Sequence, residues 1–553
     1  MAMKKQNPKY IFVVGGVISG VGKGITASSI AKILQDRGHT VTSIKIDPYV
    51  NVDAGTMNPT EHGEVFVLDD GHETDQDMGN YERFLNITLP NNNYMTTGRV
   101  YQGVIKKERS MFYKGTCVQV VPHIPLEVIS RIKRAQEKSG AECVIIEIGG
   151  TVGEYENILF LEAARMMKIK NPKDVFFVMV SYLPVPSKVG EMKTKPTQHA
   201  ARLLNASGIQ PDIIIARSDK KLDEKRKEKL SFFCNIPEDR VISAPDVESI
   251  YDVPLNFERE GLGDTLCDIM SLSCSKPNKG HSKDWNKFVG NVRNSKDEVR
   301  IAIVGKYFDT GDFTLSDSYL SVIEALKYSA YALKKKPVLT WLNAFDFEKN
   351  PKKVSELKKY DGVLVPGGFG ARGIPGKLMV IKYAREHKIP YFGLCYGMQL
   401  LTIEYARNIL GLKDATSREI DPKSKNLVID LIPEQIEKLS KMQYGNTMRL
   451  GDYVAKLKRG TLAFGAYKSD SITERHRHRY EVNPEYVKRL EDKGLVFSGK
   501  SPDGSLCEIA ELPKNVHPFF LGVQFHPEFL AHPLHPHPLF TAFVKASIEN
   551  KKK

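Results

Sequence analysis

The chain has 553 residues, more than one hydrophobic core holds, so two or more domains are expected. Its 41% hydrophobic and 26% charged residues are those of a soluble globular protein and exclude a disordered or fibrous one; no uninterrupted apolar run approaches membrane-spanning length. The net charge of +14 is spread over the whole length with no recognition motif beside it, which argues for polyphosphate ligands and against nucleic acid.

The start, Met1 to Pro8, is polar and lacks the apolar core of a signal peptide, so no membrane partner and a cytoplasmic location are expected. Seven cysteines, widely scattered and without a Cys-x-x-Cys pair, suggest neither a disulfide framework nor a structural zinc site.

An apolar strand, Tyr10 to Val14, leads into Gly15-Gly16-Val17-Ile18-Ser19-Gly20-Val21-Gly22-Lys23-Gly24-Ile25-Thr26 and then a helical run, Ala27 to Arg37. Glycines there let backbone N–H groups turn onto phosphate oxygens, Lys23 adds a charge, and the helix start adds its positive dipole end. The spacing departs from a standard P-loop: five residues separate Gly16 from Gly22, and Gly24 stands where Ser or Thr would hold magnesium. Magnesium ligands must come from elsewhere.

Strand-like runs recur at Val41 to Ile46, Val144 to Gly149, Val175 to Val180, Asp212 to Ala216 and Val241 to Ser243, with helices between, including Leu126 to Lys138 and Leu222 to Phe233. Buried β-branched strands alternating with helices predict a parallel α/β sheet whose ligands gather at the strands' carboxyl ends. Near Ser275 the chain turns polar; a short helix is expected in Asp284 to Val292, and β/α alternation restarts at Val299. This gives residues 1–275 as a first domain, 276–298 as linker and 299–553 as a second domain. Strand candidates in the second are Val338 to Leu342, Gly362 to Val365, Tyr391 to Gly393 and Leu521 to Phe525.

Three motifs carry chemistry in the second domain. Gly393-Leu394-Cys395-Tyr396-Gly397 is a strand-to-helix turn that projects a nucleophile while the helix start favours its thiolate. In His526-Pro527-Glu528, read as extended, alternate residues share a side, so Glu528 can orient His526 as general base for Cys395. Val365-Pro366-Gly367-Gly368 follows a strand with glycines whose N–H groups can stabilise an oxyanion.

These motifs, in this order, resemble a class I glutamine amidotransferase domain covering Val299 to about Glu549. The resemblance implies attack of Cys395 on glutamine, ammonia release and thioester hydrolysis assisted by His526 and Glu528. It also implies oxyanion donors at Gly368 and Tyr396, and Gln399, Glu419 and Arg479 near the glutamine.

In the first half, Lys45-Ile46-Asp47-Pro48, His62-Gly63-Glu64-Val65, Glu73-Thr74-Asp75-Gln76-Asp77, Glu147-Ile148-Gly149-Gly150-Thr151 and Lys193-Thr194-Lys195-Pro196-Thr197-Gln198 resemble the synthetase domain of the CTP synthase family. With the second domain, the resemblance spans essentially the whole chain. It implies a P-loop-like, dethiobiotin-synthetase-like parallel sheet joined to an α/β amidotransferase domain. The implied reaction phosphorylates UTP at O4 with ATP, then aminates it to CTP. Ser19, Gly20, Val21, Gly22, Lys23, Gly24 and Ile25, with Lys45 and His62, would bind ATP and UTP. Ser19, Glu154, Glu156, Lys193, Lys195, Gln198 and Lys229 would bind UTP or the feedback inhibitor CTP. Asp77 and Glu147 would hold Mg2+. GTP would activate, with Arg372 and Gly373 in the response, and a homotetramer able to form filaments would be the assembly.

Two departures stand out: Gly153-Glu154-Tyr155-Glu156-Asn157 replaces the family's Gly-Asp-Ile-Glu-Ser, and Tyr396 replaces a common Leu. His532, His535 and His537 lie among prolines and read as loop rather than metal site. A nucleotide-switch ATPase of the partitioning type is a competing reading, but it gives no use to Cys395, His526 and Glu528; an ATP-dependent enzyme amidating a cofactor carboxylate is another, opposed by the Lys193 to Gln198 string.

Overall fold

The computed structural model describes residues 7–188, 190–276, 281–305, 309–310, 313–314, 316–368, 370, 372–432 and 448–551. The chain forms two compact units, one of residues 1–53 and 80–289, the other of 54–79 and 290–553.

Among its described residues the first unit holds a seven-stranded sheet in the order Tyr94–Thr96, Val41–Asp47, Cys143–Ile148, Lys9–Gly16, Val175–Tyr182, Ile213–Ser218, Val241–Pro245. Every pairing in it is parallel. The expected α/β architecture is therefore observed, and its cause is visible in the burial. Lys9–Gly16 and Cys143–Ile148 are buried at every position, as strands covered on both faces must be. Lys9–Gly16 lies mid-sheet with neighbours on both sides, so the glycine stretch leaves from the carboxyl end of a central strand.

The second unit carries a nine-stranded sheet. Lys336–Asn343, Glu298–Gly305, Gly362–Val365, Tyr391–Leu394 and Phe520–Val523 run parallel. Cys507–Glu511, Val496–Lys500, Arg449–Leu457 and Ser471–His478 continue it antiparallel. Parallel strands need helical crossovers, whereas antiparallel neighbours can be joined directly; in the antiparallel half the short helix Leu462–Tyr467 still links Arg449–Leu457 to Ser471–His478, and Pro484–Glu491 precedes Val496–Lys500. The insertion 54–79 belongs to this unit. Its hairpin, Val65–Val67 with Glu73–Asp75, packs Phe66 against Phe529 with ring centroids 5.1 Å apart, and Arg475 donates to the Val67 carbonyl at 3.1 Å.

Two expectations need correction. The polar stretch after Ser275 leads into a longer helix than foreseen, His281–Asn294, which buries Trp285 almost completely; residues 277–280 lie outside the described residues. And Cys267 and Cys274 form a disulfide, with Cα atoms 6.0 Å apart. Their spacing gave no hint of it. Ser271, at φ 52°, reverses the chain after the helix Leu262–Met270 and brings the second cysteine back to the first.

Candidate functional sites in the two units

In the first unit, the glycine loop bridges Lys9–Gly16 and the helix Lys23–Asp36. Gly22, at φ 89°, caps that helix in the left-handed region, where glycine meets no steric penalty. Ser19 and Gly20 are exposed, while Lys23 is buried and donates to the Gly150 carbonyl at 2.9 Å. The lysine is thus folded over the loop, its charge at the strand ends where a polyphosphate would lie. Next to Gly22 a cavity of about 360 Å³ opens between Ile25, Thr26, Arg217, Asp246, Val247 and Phe257. Its size falls within the range of small-molecule sites, ~300–1,000 Å³. Arg217 pairs with Asp246 there. The motif reading did not include this cavity, because its lining comes from segments more than 190 residues downstream of the loop.

Lys45 and Glu147 face each other across adjacent parallel strands, Nζ to Oε1 at 2.9 Å, with Asp47 3.7 Å from the ammonium. Tyr81 donates to the other oxygen of Glu147. Both members of the pair are buried. His62 and Asp77 belong to the second unit, the first exposed at the end of the short helix Pro59–His62 and the second in the first turn of Gln76–Leu85. Among the described residues no group of three or more His, Cys, Asp or Glu side chains is placed to hold a metal ion. Magnesium takes hard oxygen donors and usually draws one or two from protein and the rest from phosphates and water, a donor chemistry that Glu147 in the first unit and Asp77 in the second can each supply.

The residues expected to bind pyrimidine nucleotide lie on the first unit's surface. Glu154 accepts from the Thr151 N–H at 2.8 Å and from its hydroxyl at 2.7 Å, and Glu156 is exposed. Asn157, one of the departures, is buried and donates to the carbonyls of Gly149 and Thr151 at 3.3 and 3.0 Å, pinning this loop from below. Lys193 pairs with Glu191 at 2.7 Å, Lys195 opens the helix Lys195–Ala206, and Gln198 donates to Thr194 at 3.1 Å. Lys229 is exposed on the helix Glu224–Cys234.

The second unit brings the three motifs singled out in its sequence into one cavity, lined by Gly367, Gly368, Cys395, His526 and Glu528 together with Pro59, Glu64, Val65, Ser318, Tyr319, Arg477 and Phe529. Cys395 precedes the helix Tyr396–Asn408 at φ 48° and ψ −98°, a strained conformation for a side chain with a β-carbon and the geometry of a nucleophile elbow. The flanking glycines permit it: a β-carbon on Gly397 would stand 2.3 Å from the Val365 carbonyl oxygen, and one on Gly393 2.7 Å from the Gly397 backbone.

His526 Nδ1 and Glu528 Oε1 are 2.7 Å apart. The expectation that they meet is met, though not through an extended chain. The strand ends at Val523, and Pro527 opens a 3-10 turn, Pro527–Leu530, that brings the carboxylate back to the ring. Nε2 of His526 is buried without a hydrogen-bond partner among the described residues, and the ring shares the cavity with Cys395. Burial opposes the imidazolium, but the charges of Glu528 and of the Cys395 sulfur outweigh it and push the His526 pKa up to about 10. The proton therefore stays on His526 below that pH and leaves as pH rises through it, so a reaction that uses this imidazolium should show an alkaline limb near pH 10. In Glu528→Gln that limb should move down and turnover should fall by about 10³-fold or more, since the ring loses both its charge partner and its tautomer control. A pH–rate profile of that reaction checks both effects.

Around this centre Gln399 is buried and donates to the Tyr480 carbonyl at 3.1 Å, and Glu419 accepts from the Gly370 N–H at 2.6 Å. Arg479 lies half-buried just before Tyr480–Val482 and is not among the residues lining the cavity. The guanidinium of Arg372 lies over the Phe345 ring at 5.5 Å, and Gly373, at φ 76°, caps the helix Ile374–Glu386. The His537 ring is engaged by Glu474, at 2.9 Å, and by the Leu539 N–H. Sequence reading missed two features of the cavity: the wall made by Pro59, Glu64 and Val65, and Arg477, whose Nε donates to Glu73 Oε1 at 2.8 Å. Glu64 is fixed by the Ser321 N–H and hydroxyl.

Comparison with known proteins covers the chain from end to end. Residues 9–272 match the family described as CTP synthase N-terminus, and residues 314–546 match Glutamine amidotransferase class-I. A CTP synthase of Pyrococcus abyssi is 51% identical over 99% of this chain and 99% of its own length. One of Halalkalibacterium halodurans is 49% identical over 98% of this chain and 99% of its own. Among solved structures, the glutaminase domain of Trypanosoma brucei CTPS with bound acivicin is 36% identical, covering 45% of this chain and 94% of that chain with a TM-score of 0.42.

Proposed function

The chain belongs to the CTP synthase family, and from that premise we propose how its residues divide the work. It is a glutamine-dependent ligase that converts UTP to CTP in pyrimidine nucleotide synthesis. Residues 1–275 act as the amidoligase domain, 276–298 as a linker and 299–553 as the glutaminase domain. The observation that carries the glutaminase half is the meeting of Cys395, His526 and Glu528 in one cavity.

Cys395, its proton already held on the imidazole of His526, attacks the carboxamide carbon of glutamine as the thiolate of that ion pair. Gly368 and Tyr396 N–H groups receive the oxyanion, and His526 returns the proton to the departing nitrogen so that ammonia leaves. Water activated by the same imidazole then cleaves the thioester to glutamate. Gln399, Glu419 and Arg479 hold the substrate.

In the amidoligase domain, the loop Ser19 to Ile25 binds the ATP and UTP phosphates, and Lys23 meets the charge that develops as the γ-phosphoryl group moves to O4 of UTP. The cavity beside Gly22 takes the ATP base. O4 is a poor leaving group until phosphorylated; ammonia then adds at C4 and phosphate departs. Lys45 and His62 serve the reaction centre. Asp77 and Glu147 would hold magnesium, which supplies charge neutralisation on the phosphates. Asp77→Asn is expected to raise the magnesium concentration needed for half-maximal CTP formation by about tenfold while glutamine hydrolysis is unchanged. A magnesium titration with ammonia as nitrogen source checks this, and an unshifted curve would remove Asp77 from the ligand set.

Glu154, Glu156, Lys193, Lys195, Gln198 and Lys229, with Ser19, bind UTP and the inhibitor CTP. GTP activates through the segment of Arg372 and Gly373. A homotetramer, able to stack into filaments, is the assembly we propose, and the exposed apolar side chains Ile105, Met111, Phe112, Val120 and Val121, on and around the helices Thr97–Arg109 and Val120–Ser139 of the first unit, are available to bury in it. A cytoplasmic location suits substrates of this kind, and among the described residues no helix is long and apolar enough to cross a membrane.

A further inference from the structure

The sulfur of Cys395 has two polar neighbours of opposite kind. The Arg477 carbonyl, at 3.8 Å, only accepts and so serves the thiol form. The Gln524 carboxamide, at 3.6 Å from Nε2 to sulfur, lies wholly buried one residue beyond the strand Phe520–Val523.

Whether that amide turns its nitrogen or its oxygen to the sulfur depends on the groups behind it. The Tyr480 carbonyl can only accept, so Gln399 must face it with nitrogen, at 3.1 Å. The same nitrogen has a second hydrogen and donates it to Gln524 Oε1 at 3.3 Å. With its oxygen so engaged, Gln524 has only its nitrogen left for the sulfur. The Tyr480 carbonyl is held in turn by His478, whose Nδ1 lies 3.2 Å away and must donate; Nε2 of His478 then accepts from His476 Nδ1 at 2.9 Å. Burial keeps both of these imidazoles neutral, their pKa values pushed well below the usual range.

We propose that Gln524 is a catalytic residue of the glutaminase centre, donating from Nε2 to the Cys395 thiolate once its proton has passed to His526, with Gln399 fixing the orientation of the donating amide. This role rests on Cys395 being the glutaminase nucleophile.

The charged groups around the sulfur explain why a neutral donor is of use there. His526 and Glu528 face it from the turn, Glu64 and Arg477 line the same cavity, and Arg449 with Glu481 and Glu508 lie behind. The Arg477 guanidinium is engaged by Glu73, that of Arg449 by Glu481 and Glu508, and the Lys377 ammonium lies over the Tyr396 ring at 5.5 Å, while His526 lines the cavity with Cys395 and is the cation that favours the thiolate. A carboxamide donor adds to it without bringing another charge into a buried site. Hydrogen bonds to an ionised acceptor are about twice as strong as neutral ones.

The test is Gln524→Met, which keeps length and removes the donor. Inactivation by iodoacetamide, read as loss of glutaminase activity, reports the Cys395 thiolate as a function of pH. The acid limb of that profile is expected to move up by about one pH unit, with kcat/KM for glutamine at neutral pH falling about tenfold and the inactivation rate on the high-pH plateau within about twofold of the parent. An unmoved limb overturns the proposal, and so does a lowered plateau with an unmoved limb, which would mean only a packing role. Cys395→Ala run alongside separates the premise: if it still hydrolyses glutamine, the nucleophile is misassigned and the proposal falls with it.

Discussion

Lys23→Ala is expected to abolish CTP formation with glutamine and with ammonium chloride alike, while glutamine hydrolysis persists. Lys23 sits at the first position of the helix Lys23–Asp36 and is buried, its ammonium against the Gly150 carbonyl at the strand ends. A cation in that position matters most when charge spreads over a transferring phosphoryl group. Removing one preorganised group of that kind costs about 10²–10³-fold in turnover, and the loss here also weakens phosphate binding. Shortening Lys23 leaves the fold largely in place, because the helix N-terminus is formed by Gly22 and not by the lysine's side chain. Steady-state assays of CTP and of glutamate formation on the same preparation check the division: loss of both would mean that the substitution damages more than the phosphate site.

Cys395→Ala is expected to do the reverse. Glutamine-dependent CTP formation should fall by about 10⁴-fold or more, since acyl transfer without its nucleophile keeps only what the oxyanion site and binding supply. CTP formation from ammonium chloride should remain within about twofold, because no atom of Cys395 takes part in phosphorylating or aminating UTP. The strained elbow favours this variant structurally: alanine keeps the β-carbon that the turn already accommodates at φ 48° and removes only the sulfur. Loss of ammonia-dependent synthesis would contradict separate nitrogen-releasing and nitrogen-accepting chemistry.

Much of the architecture is legible in the chain because the signals are local. The runs at Lys9–Gly16, Cys143–Ile148 and Val175–Tyr182 are continuous, β-branched and buried on both faces, which marks central parallel strands. Cys395 is legible for the same reason: the glycines two positions either side leave few other uses for that turn. The segment 54–79 gives no such signal. Its strands are three residues long, and what joins it to the second unit is Phe66 on Phe529 and Glu73 on Arg477, contacts between residues more than 400 positions apart. The pairing of Cys267 with Cys274 depends on one left-handed residue, Ser271, which no pattern marks. His526 and Glu528 meet by a different geometry from the extended one their spacing suggests, because Pro527 ends the extended chain and starts a turn that gives the same contact. Gln524 carries no signal in the sequence, because a glutamine between Val523 and Phe525 has no chemistry of its own until Gln399 and Tyr480 orient it.

The central claim is that nitrogen released at Cys395 is built into CTP by the chain's own amidoligase domain. The measurement that tests it most directly is CTP formation by the purified full chain with UTP, ATP, magnesium, GTP and glutamine labelled with 15N in its amide. The expected product is CTP carrying the label on its exocyclic nitrogen, formed with ADP, phosphate and glutamate in equal amounts. Absence of CTP from both glutamine and ammonium chloride would contradict the account.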